Sequence, residues 1–462
     1  MTKSIGTGLA RVTVAAPKRR IDVALPEHVA AAELLPGLLR HAGDDLADTG
    51  QAHGGWVLRR ADGSVIDGGR TLGAQGLRDG EILHLVPRRA EWPELDYDDV
   101  VDAIATGARR HGHAWAAKAT RTCGLAVASG IFLLGLVVIM MSGPGWTLPG
   151  ALALGLAVVL TMAGVVLSRA MSDSPGGAVI AATGLLFAFA GGAAVLGGDA
   201  ALSELGPAHV LVGSSALLLA SIASYLGVAD RTQLFVAGAF SGVLGICGAL
   251  LAFAGVSAAG VAAVLVSVVL AVVPTLPLLA IRLGKLPMPA LPTSAEDLLK
   301  DQPMPPRSKV YAAVVRSDEL LTGMLLGAAL VSVVGEIVLL RAGDATASVL
   351  VALVAAASLL RARLFPTVRQ RVPLLVIGLT GVTALAIGSI LLDASTRIAV
   401  VAPVLLVAAG LVGAAGLAYS RRTPSPYLGR IADILDVLLV LAVVPVACGV
   451  LGLYGYVRGL GG

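Results

Sequence analysis

The sequence predicts a small soluble α+β module followed by an all-α polytopic membrane domain of eleven transmembrane helices. Apolar residues make up 56% of the 462-residue chain and charged residues only 14%, whereas soluble domains carry about 25% charged residues. The mean hydropathy is +0.86. Residues 1–122 nevertheless hold 16 of the 34 Lys and Arg and 16 of the 30 Asp and Glu. A single soluble globule is therefore excluded, and the soluble part lies at the N-terminus.

The alternation of apolar and polar residues predicts the strands of the N-terminal module. Two strands, 8–16 and 21–25, are joined as a hairpin by a short basic link. An amphipathic helix is predicted at 28–41, interrupted by a Pro-Gly pair. Two further strands, each next to an Asp-Gly turn signal, are predicted at 56–59 and 82–86.

The end of this module carries a resemblance. The segment TLGAQGLRDGEILHLVPR, residues 71–88, resembles the end of the ubiquitin fold, with its leucine-led turn, Asp-Gly pair and apolar final strand. The resemblance implies a ubiquitin-like β-grasp domain over residues 1–90. No di-glycine tail follows the strand, which continues into Arg88-Arg89-Ala90. Conjugation to a substrate is therefore excluded, and we expect a docking role.

Residues 91–122 are predicted to be a linker and an amphipathic helix. Acidic residues stand at the start of the segment 97–121 and basic residues toward its end, as the helix dipole favours. The segment is either a solvated connector into the bilayer or a helix that packs on a partner protein.

Eleven apolar runs follow within residues 123–462. About 20 apolar residues cross the ~30 Å hydrocarbon core as a helix. Only Gly255-Val256-Ser257 separates the fifth run from the sixth, which predicts a tight hairpin. The predicted spans are 123–142, 148–168, 178–196, 209–226, 234–254, 258–281, 320–340, 346–360, 372–392, 398–419 and 434–457.

The positions of Lys and Arg predict the orientation. With a cytoplasmic N-terminus, nineteen of these residues from Arg109 onward fall inside and only Arg341, Arg397 and Arg458 fall outside. The odd number of spans then places the C-terminus in the periplasm. Because topology explains the basic residues, the sequence pI near 9.1 does not indicate nucleic-acid binding. The inside residues are Arg109, Arg110, Lys118, Arg121, Arg169, Arg231, Arg282, Lys285, Lys300, Arg307, Lys309, Arg316, Arg361, Arg363, Arg369, Arg371, Arg421, Arg422 and Arg430.

One predicted loop is long. Residues 282–319 contain six prolines and alternating charge, so this segment is too polar for the bilayer and too rich in proline for one helix. We interpret it as a cytoplasmic docking loop with a short helix near 295–300, with a bare connector as the alternative. The candidate partner-binding residues of the whole chain are Arg59, Arg60, Trp92, Tyr97, Arg307, Lys309, Tyr311 and Arg316.

The sequence offers no pattern for catalysis, cofactor binding or metal binding. Nucleotide-binding, zinc-protease and serine-hydrolase motifs are absent, and no histidine stands at metal-ligand spacing from a cysteine or a carboxylate. Glu336 is the only carboxylate well within a predicted span. It lies close to the outer end of the seventh span, so we expect it to reach interfacial water. A buried polar contact and a proton or ion relay are the alternatives.

Glycine is abundant, with 57 residues, and several glycines recur at helical spacing. Small residues let membrane helices approach closely. Packing within one chain and contact between subunits are both compatible with this pattern. The candidate positions are Gly238, Gly242, Gly323, Gly327, Gly410 and Gly413.

The whole chain resembles the EccD family, the polytopic membrane subunits of the mycobacterial type VII (ESX) secretion system. The resemblance rests on the ubiquitin-like module, the eleven spans and the junction LDYDDVVDAIATGARR at 95–110. It implies a non-enzymatic scaffold without a cofactor, in an inner-membrane complex with EccB, EccE and the ATPase EccC. It also implies pairing with a second EccD copy around a lipid-lined space, and contact of the ubiquitin-like domain with EccC. The relatively short chain favours the ESX-3 branch.

A secondary transporter with an appended cytoplasmic regulatory domain is the alternative from another functional class. Ion-coupled transporters normally carry several intramembrane ionisable groups, and this chain has few. The distribution of charge therefore favours the scaffold.

Overall fold

The computed structural model describes residues 8–17, 19–43, 46, 50, 54–77, 79–88, 117–201, 204, 206–287, 306–391, 393–421 and 426–460. The chain divides into two compact units, residues 1–115 and 116–462. Trp92, Tyr97, most of the predicted helix 97–121 and the predicted helix 295–300 lie outside the described residues.

The described part of the N-terminal unit is built on one mixed four-stranded sheet and the helix Ala31–Ala42. The strand order is β2-β1-β4-β3, with β1 and β4 parallel and the two outer pairs antiparallel. This arrangement confirms the sequence prediction of a ubiquitin-like module. The elements are β1 (Leu9–Ala15), β2 (Arg20–Pro26), α1 (Ala31–Ala42), β3 (Trp56–Arg60) and β4 (Ile82–Pro87).

Alternation along the strands builds the core of this unit. Val12 and Val14 of β1 and Leu83 and Leu85 of β4 are buried and pack against α1, which contributes Leu38. Pro36 is accommodated inside α1.

The second Asp-Gly turn ties β1 to the start of β4. Asp79 Oδ1 accepts a hydrogen bond of 2.7 Å from the Arg11 backbone N–H, and the Gly80 N–H donates to the Arg11 carbonyl over 2.7 Å. Gly80 adopts a φ of +82°, a conformation that glycine takes without steric penalty.

The described residues of the second unit contain eleven helices long and apolar enough to cross a membrane, which agrees with the predicted number. We call them spans 1 to 11. They are Ala117–Met140, Thr147–Arg169, Ser174–Ala194, Pro207–Gly227, Thr232–Phe253, Ala258–Leu283, Arg307–Arg341, Ala345–Arg361, Val368–Gly388, Ala394–Ala418 and Pro426–Val450.

Two spans have internal irregularities. Span 6 joins the helices Ala258–Val272 and Leu276–Leu283 through the 3₁₀ turn Val273–Thr275. Span 10 contains a π-helical segment, Arg397–Val401. The tight hairpin predicted between spans 5 and 6 is present: Gly255 has a φ of +87°, and the Ser257 hydroxyl caps span 6 by accepting from the Gly260 N–H over 3.1 Å.

The prediction of a loop over residues 282–319 is wrong for the second half of that segment. Span 7 begins at Arg307, directly after the last of the six prolines, and runs for 35 residues, about 52 Å at 1.5 Å per residue. Its first turns are polar, so hydropathy did not reveal them. They are helical because Ala313 and Ser317 are buried against the bundle and no proline interrupts them.

The spans pack in two groups that meet at spans 5 and 7. Spans 2 to 5 pack mainly on their sequence neighbours, and span 1 packs mainly on span 3. Spans 6, 7, 8, 9 and 11 surround the largest apolar core. Leu325, Leu350 and Ile377, one each from spans 7, 8 and 9, are almost fully buried in that core.

Candidate functional site

An ion pair links the basic ends of spans 8 and 11. Arg361 Nε donates to Asp436 Oδ1 over 2.8 Å, and the two side chains are 5% and 19% exposed. Two residues further on, Arg363 pairs with Asp433 in a more exposed position. Neither aspartate was among the candidate residues of the sequence, which did not indicate these arginine partners.

Arg361 also binds the backbone of span 6. Its Nη1 donates to the Leu270 carbonyl. In a regular helix this carbonyl would accept from the N–H four residues later, but that residue is Pro274, which has no N–H. Arg361 thus satisfies a carbonyl that the proline leaves without a donor and connects spans 6, 8 and 11. Pro274 was the one signal in the sequence for this contact.

Glu336 is buried, not interfacial, so the expectation that it reaches interfacial water is wrong. Its side chain is 1% exposed, and its Oε2 accepts a 2.9 Å hydrogen bond from the Thr380 hydroxyl on span 9. A Cβ on Gly381 would lie 3.1 Å from Glu336 Oε1. Glycine at 381 lets span 9 approach the carboxylate, which makes a buried polar contact between helices, the alternative reading of this residue.

The module candidates Arg59 and Arg60 both lie on β3. Arg60 is engaged within the module: its Nε lies 3.2 Å from Glu81 Oε1 and its Nη2 donates to the Gln75 carbonyl. Arg59 is half-buried, and its backbone bridges to Val65. The other two candidates of the N-terminal region, Trp92 and Tyr97, lie outside the described residues.

The four candidates from the predicted docking loop lie on the first turns of span 7. Arg307, Lys309, Tyr311 and Arg316 are all exposed. Tyr311 and Arg316 line a cavity of about 680 Å³, whereas Arg307 and Lys309 do not line it.

Four of the candidate glycines are contact points inside the chain. A Cβ on Gly238 would collide with the Ser221 hydroxyl of span 4, and one on Gly242 would lie 3.0 Å from the Ser214 carbonyl oxygen. Corresponding atoms on Gly323 and Gly327 would lie 2.7 Å and 2.6 Å from backbone carbonyls of span 5. These glycines hold span 5 against spans 4 and 7.

Gly410 and Gly413 behave differently. Both lie on span 10, and a Cβ on either would meet nothing within 4 Å. No residue of span 10 is buried, and within the described part of the chain the Ser389–Leu391 turn is the element outside span 10 that packs most against it. Span 10 therefore presents an open glycine-bearing face.

The start of span 10 is capped. Asp393 accepts from the Thr396 N–H over 2.9 Å and from the Thr396 hydroxyl over 2.8 Å. Hydrogen bonds from the Ser395 hydroxyl and from Thr396 hold the pKa of the Asp393 carboxyl well below its usual range. The carboxylate remains charged and stabilises the first turn of span 10.

Two known protein-family models match this architecture. A family model described as the EccD-like transmembrane domain matches residues 120–460. The chain belongs to the EccD family. A second model, protein YukD of the WXG100 protein secretion system, matches residues 9–85 of this EccD protein.

Relatives of similar length support the assignment. The EccD chain is 27% identical to the ESX-4 secretion system protein eccD4 of Mycobacterium tuberculosis, covering 98% of each chain. It is 26% identical to the ESX-3 protein EccD3 of the same species, covering 97% of this chain and 98% of the relative. The chain is about equally similar to the ESX-4 and ESX-3 relatives. Its assignment to the ESX-3 branch therefore stays a prediction.

Two solved structures share the fold of this EccD chain. Protomer 1 of the ESX-3 core complex has a TM-score of 0.60 at 23% identity, covering 97% of this chain and all of the other. A MycP5-free ESX-5 inner membrane complex has a TM-score of 0.56 at 18% identity, covering 90% of this chain and all of the other. The relatives are thus subunits of ESX secretion systems, and the similar folds occur in membrane core complexes.

Proposed function

We propose that this EccD protein is a non-enzymatic structural subunit of a type VII secretion complex in the bacterial inner membrane. In this proposal it pairs with a second copy through the membrane domain and docks the EccC ATPase through its ubiquitin-like module. EccB and EccE complete the complex.

The observation that carries the proposal is the open glycine-bearing face of span 10. Lipid tails are as apolar as leucine, so helices in a bilayer associate through close packing and not through a hydrophobic drive. Glycine permits the closest backbone approach, and a Cβ on Gly410 or Gly413 would meet nothing within 4 Å in the described part of the chain. A second copy of the chain supplies the neighbour that these positions accommodate.

The charge contacts favour a scaffold over a transporter. Glu336 and Arg361 are buried, and each is bound to a side chain of another span. Such contacts connect helices, whereas a transport path needs ionisable groups that face a water-filled cavity.

Cysteine cross-linking in membranes that contain the whole complex tests the pairing. Gly410→Cys and Gly413→Cys, in a background without Cys123, Cys247 and Cys448, should give cross-linked dimers with a short bifunctional thiol reagent. Gly155→Cys is the matched control, because it also has open space but lies on span 2. Cross-linking at 155 alone would contradict the assignment to span 10. A single copy per assembled complex, counted by native mass spectrometry, would contradict the pairing itself.

A further inference from the structure

A cavity opens at the basic ends of spans 2, 4, 5 and 7. Its volume is about 680 Å³. Two guanidinium groups, Arg169 and Arg316, and two aromatic rings, Tyr225 and Tyr311, contribute to its lining. Glu319 is the single carboxylate in the lining, so the lining side chains carry a net positive charge.

Arg169 is held in place at the wall of this cavity. Its Nε donates to the Gly227 carbonyl over 2.9 Å and its Nη2 to the Leu226 carbonyl over 3.1 Å. These neutral acceptors orient the guanidinium without neutralising it, and they leave further donors available. Arg316 is exposed, and no carboxylate of the described part of the chain lies within ion-pair distance of it. A fixed guanidinium, Arg169, and an exposed guanidinium, Arg316, thus line the same cavity.

A second, apolar cavity begins where the first ends. It has a volume of about 310 Å³ and shares Tyr225 with the first. Its floor is span 5, from Phe235 to Val243. Ile222 of span 4 stands on one side, and Met324 of span 7 and Leu283 of span 6 stand on the other.

The two cavities together cover a considerable depth. From Thr232, which lines the first, to Val243, which lines the second, span 5 rises about 16 Å. That distance is about half of the hydrocarbon core. The ligand that matches this space has an anionic head and an apolar tail that enters the bilayer, which a soluble acidic peptide does not have.

We propose that this pair of cavities binds one anionic glycerophospholipid, with its phosphate at Arg169 and Arg316 and an acyl chain along the groove on span 5. Guanidinium groups bind phosphate through paired, charge-assisted hydrogen bonds, and basic pockets between membrane helices select lipid headgroups. The site lies within one chain, so it does not depend on pairing of two copies.

Lipid titration followed by native mass spectrometry of the purified full-length protein tests the proposal. The probes are phosphatidylglycerol, phosphatidylcholine with the same acyl chains, and inorganic phosphate. We expect phosphatidylglycerol to bind more tightly than phosphatidylcholine and to stay bound in millimolar inorganic phosphate. Equal affinity for the two lipids would overturn the headgroup assignment. Displacement by inorganic phosphate would show a phosphate site that is not a lipid site.

Variants separate this site from diffuse attraction to a basic surface. Arg316→Gln should weaken phosphatidylglycerol binding about fivefold, as expected for one cation near the membrane surface, while Lys309→Gln, on the same helix but outside the cavity, should change it less than twofold. Equal losses in both variants would overturn the proposal. The proposal would also be overturned if the Arg316→Gln protein kept its lipid but lost a soluble partner protein.

The groove is tested by filling it. Ala239→Leu should reduce the affinity for both lipids, while Ala254→Leu, directly after the far end of span 5, should leave both unchanged. Val243→Phe is the second filling variant if Ala239→Leu does not fold, as judged by its melting temperature. Unchanged lipid affinity in a folded groove-filling variant would show that the acyl chain does not occupy the groove.

Discussion

Arg361 and Asp436 form a 2.8 Å ion pair between spans 8 and 11, and both side chains are largely withdrawn from solvent. The neighbouring pair has the same chemistry and joins Asp433 of span 11 to Arg363, two residues beyond the end of span 8, but its side chains are 33% and 67% exposed. The two pairs differ mainly in burial, which makes each the control for the other.

Removing Asp436 should destabilise the protein strongly. Asp436→Ala leaves a buried guanidinium without its counter-charge, and breaking such a pair costs about 3–5 kcal/mol. Asp433→Ala should cost about 0–1 kcal/mol, because solvent screens the exposed pair. Thermal unfolding of the detergent-purified protein measures both. Equal effects of the two variants would show that burial does not govern the strength of the pairs.

The double variant Arg361→Met, Asp436→Leu should recover part of the stability lost in Asp436→Ala, since apolar side chains of similar size often replace a buried ion pair at little cost. Recovery will be incomplete, because the Leu270 carbonyl loses the Arg361 donor. Full recovery would argue against the role of Arg361 at the proline-interrupted turn of span 6.

Glu336 should act as a structural contact. We expect Glu336→Gln to preserve assembly and secretion, because an amide oxygen still accepts from the Thr380 hydroxyl. Gly381→Ala should be the more damaging change, since the added Cβ would lie 2.7 Å from Ala355 Cβ, and overpacking costs about 1–3 kcal/mol. Secretion assays and melting temperatures measure both. An assembled but inactive Glu336→Gln complex would point to a relay of protons or ions instead.

Replacing the candidate glycines by alanine should have two different effects on the stability of a single chain. Gly323→Ala should lower the melting temperature of the isolated protein, because its Cβ would lie 2.6 Å from Val236 Cβ, with a loss of about 1–3 kcal/mol. Gly410→Ala should leave it unchanged, because that position is open. A similar drop in both variants would show that span 10 packs within its own chain.

Topology is testable with single cysteines at Ser4 and Gly461, in a background without native cysteines. The positive-inside distribution predicts that a membrane-impermeant thiol reagent added to intact spheroplasts labels position 461 and spares position 4. The reverse pattern would refute the orientation. Labelling of both positions after lysis is the control for reactivity.

Deletion of residues 1–90 should leave insertion of the membrane unit intact and abolish secretion. The two units are separately compact, so we expect the spans to fold without the module. We expect EccC to co-purify less with the truncated protein. Normal secretion by the truncated protein would show that the module is dispensable.

Local properties of the sequence were sufficient to predict most of the fold. The strand alternation around Val12 and Leu83 predicted the sheet, and the apolar runs predicted eleven spans, because both depend on residues close together in sequence. The start of span 7 at Arg307 was missed, since hydropathy does not detect a polar helix whose stability comes from packing of Ala313 and Ser317 outside the most apolar stretch.

The sequence by itself determined a soluble module, eleven spans and the clustering of cations in alternate connections, because burial of apolar surface and exclusion of charge from lipid act on each segment separately. Only the tertiary structure decided which polar groups meet. Arg361 and Asp436 are 75 residues apart, and Glu336 and Thr380 are 44 apart. It also separated Gly323, pressed against span 5, from Gly410, which faces open space. Close packing depends on the rotation and crossing of helices, which are set by all the neighbours of a helix together and leave no periodic signal in any one of them.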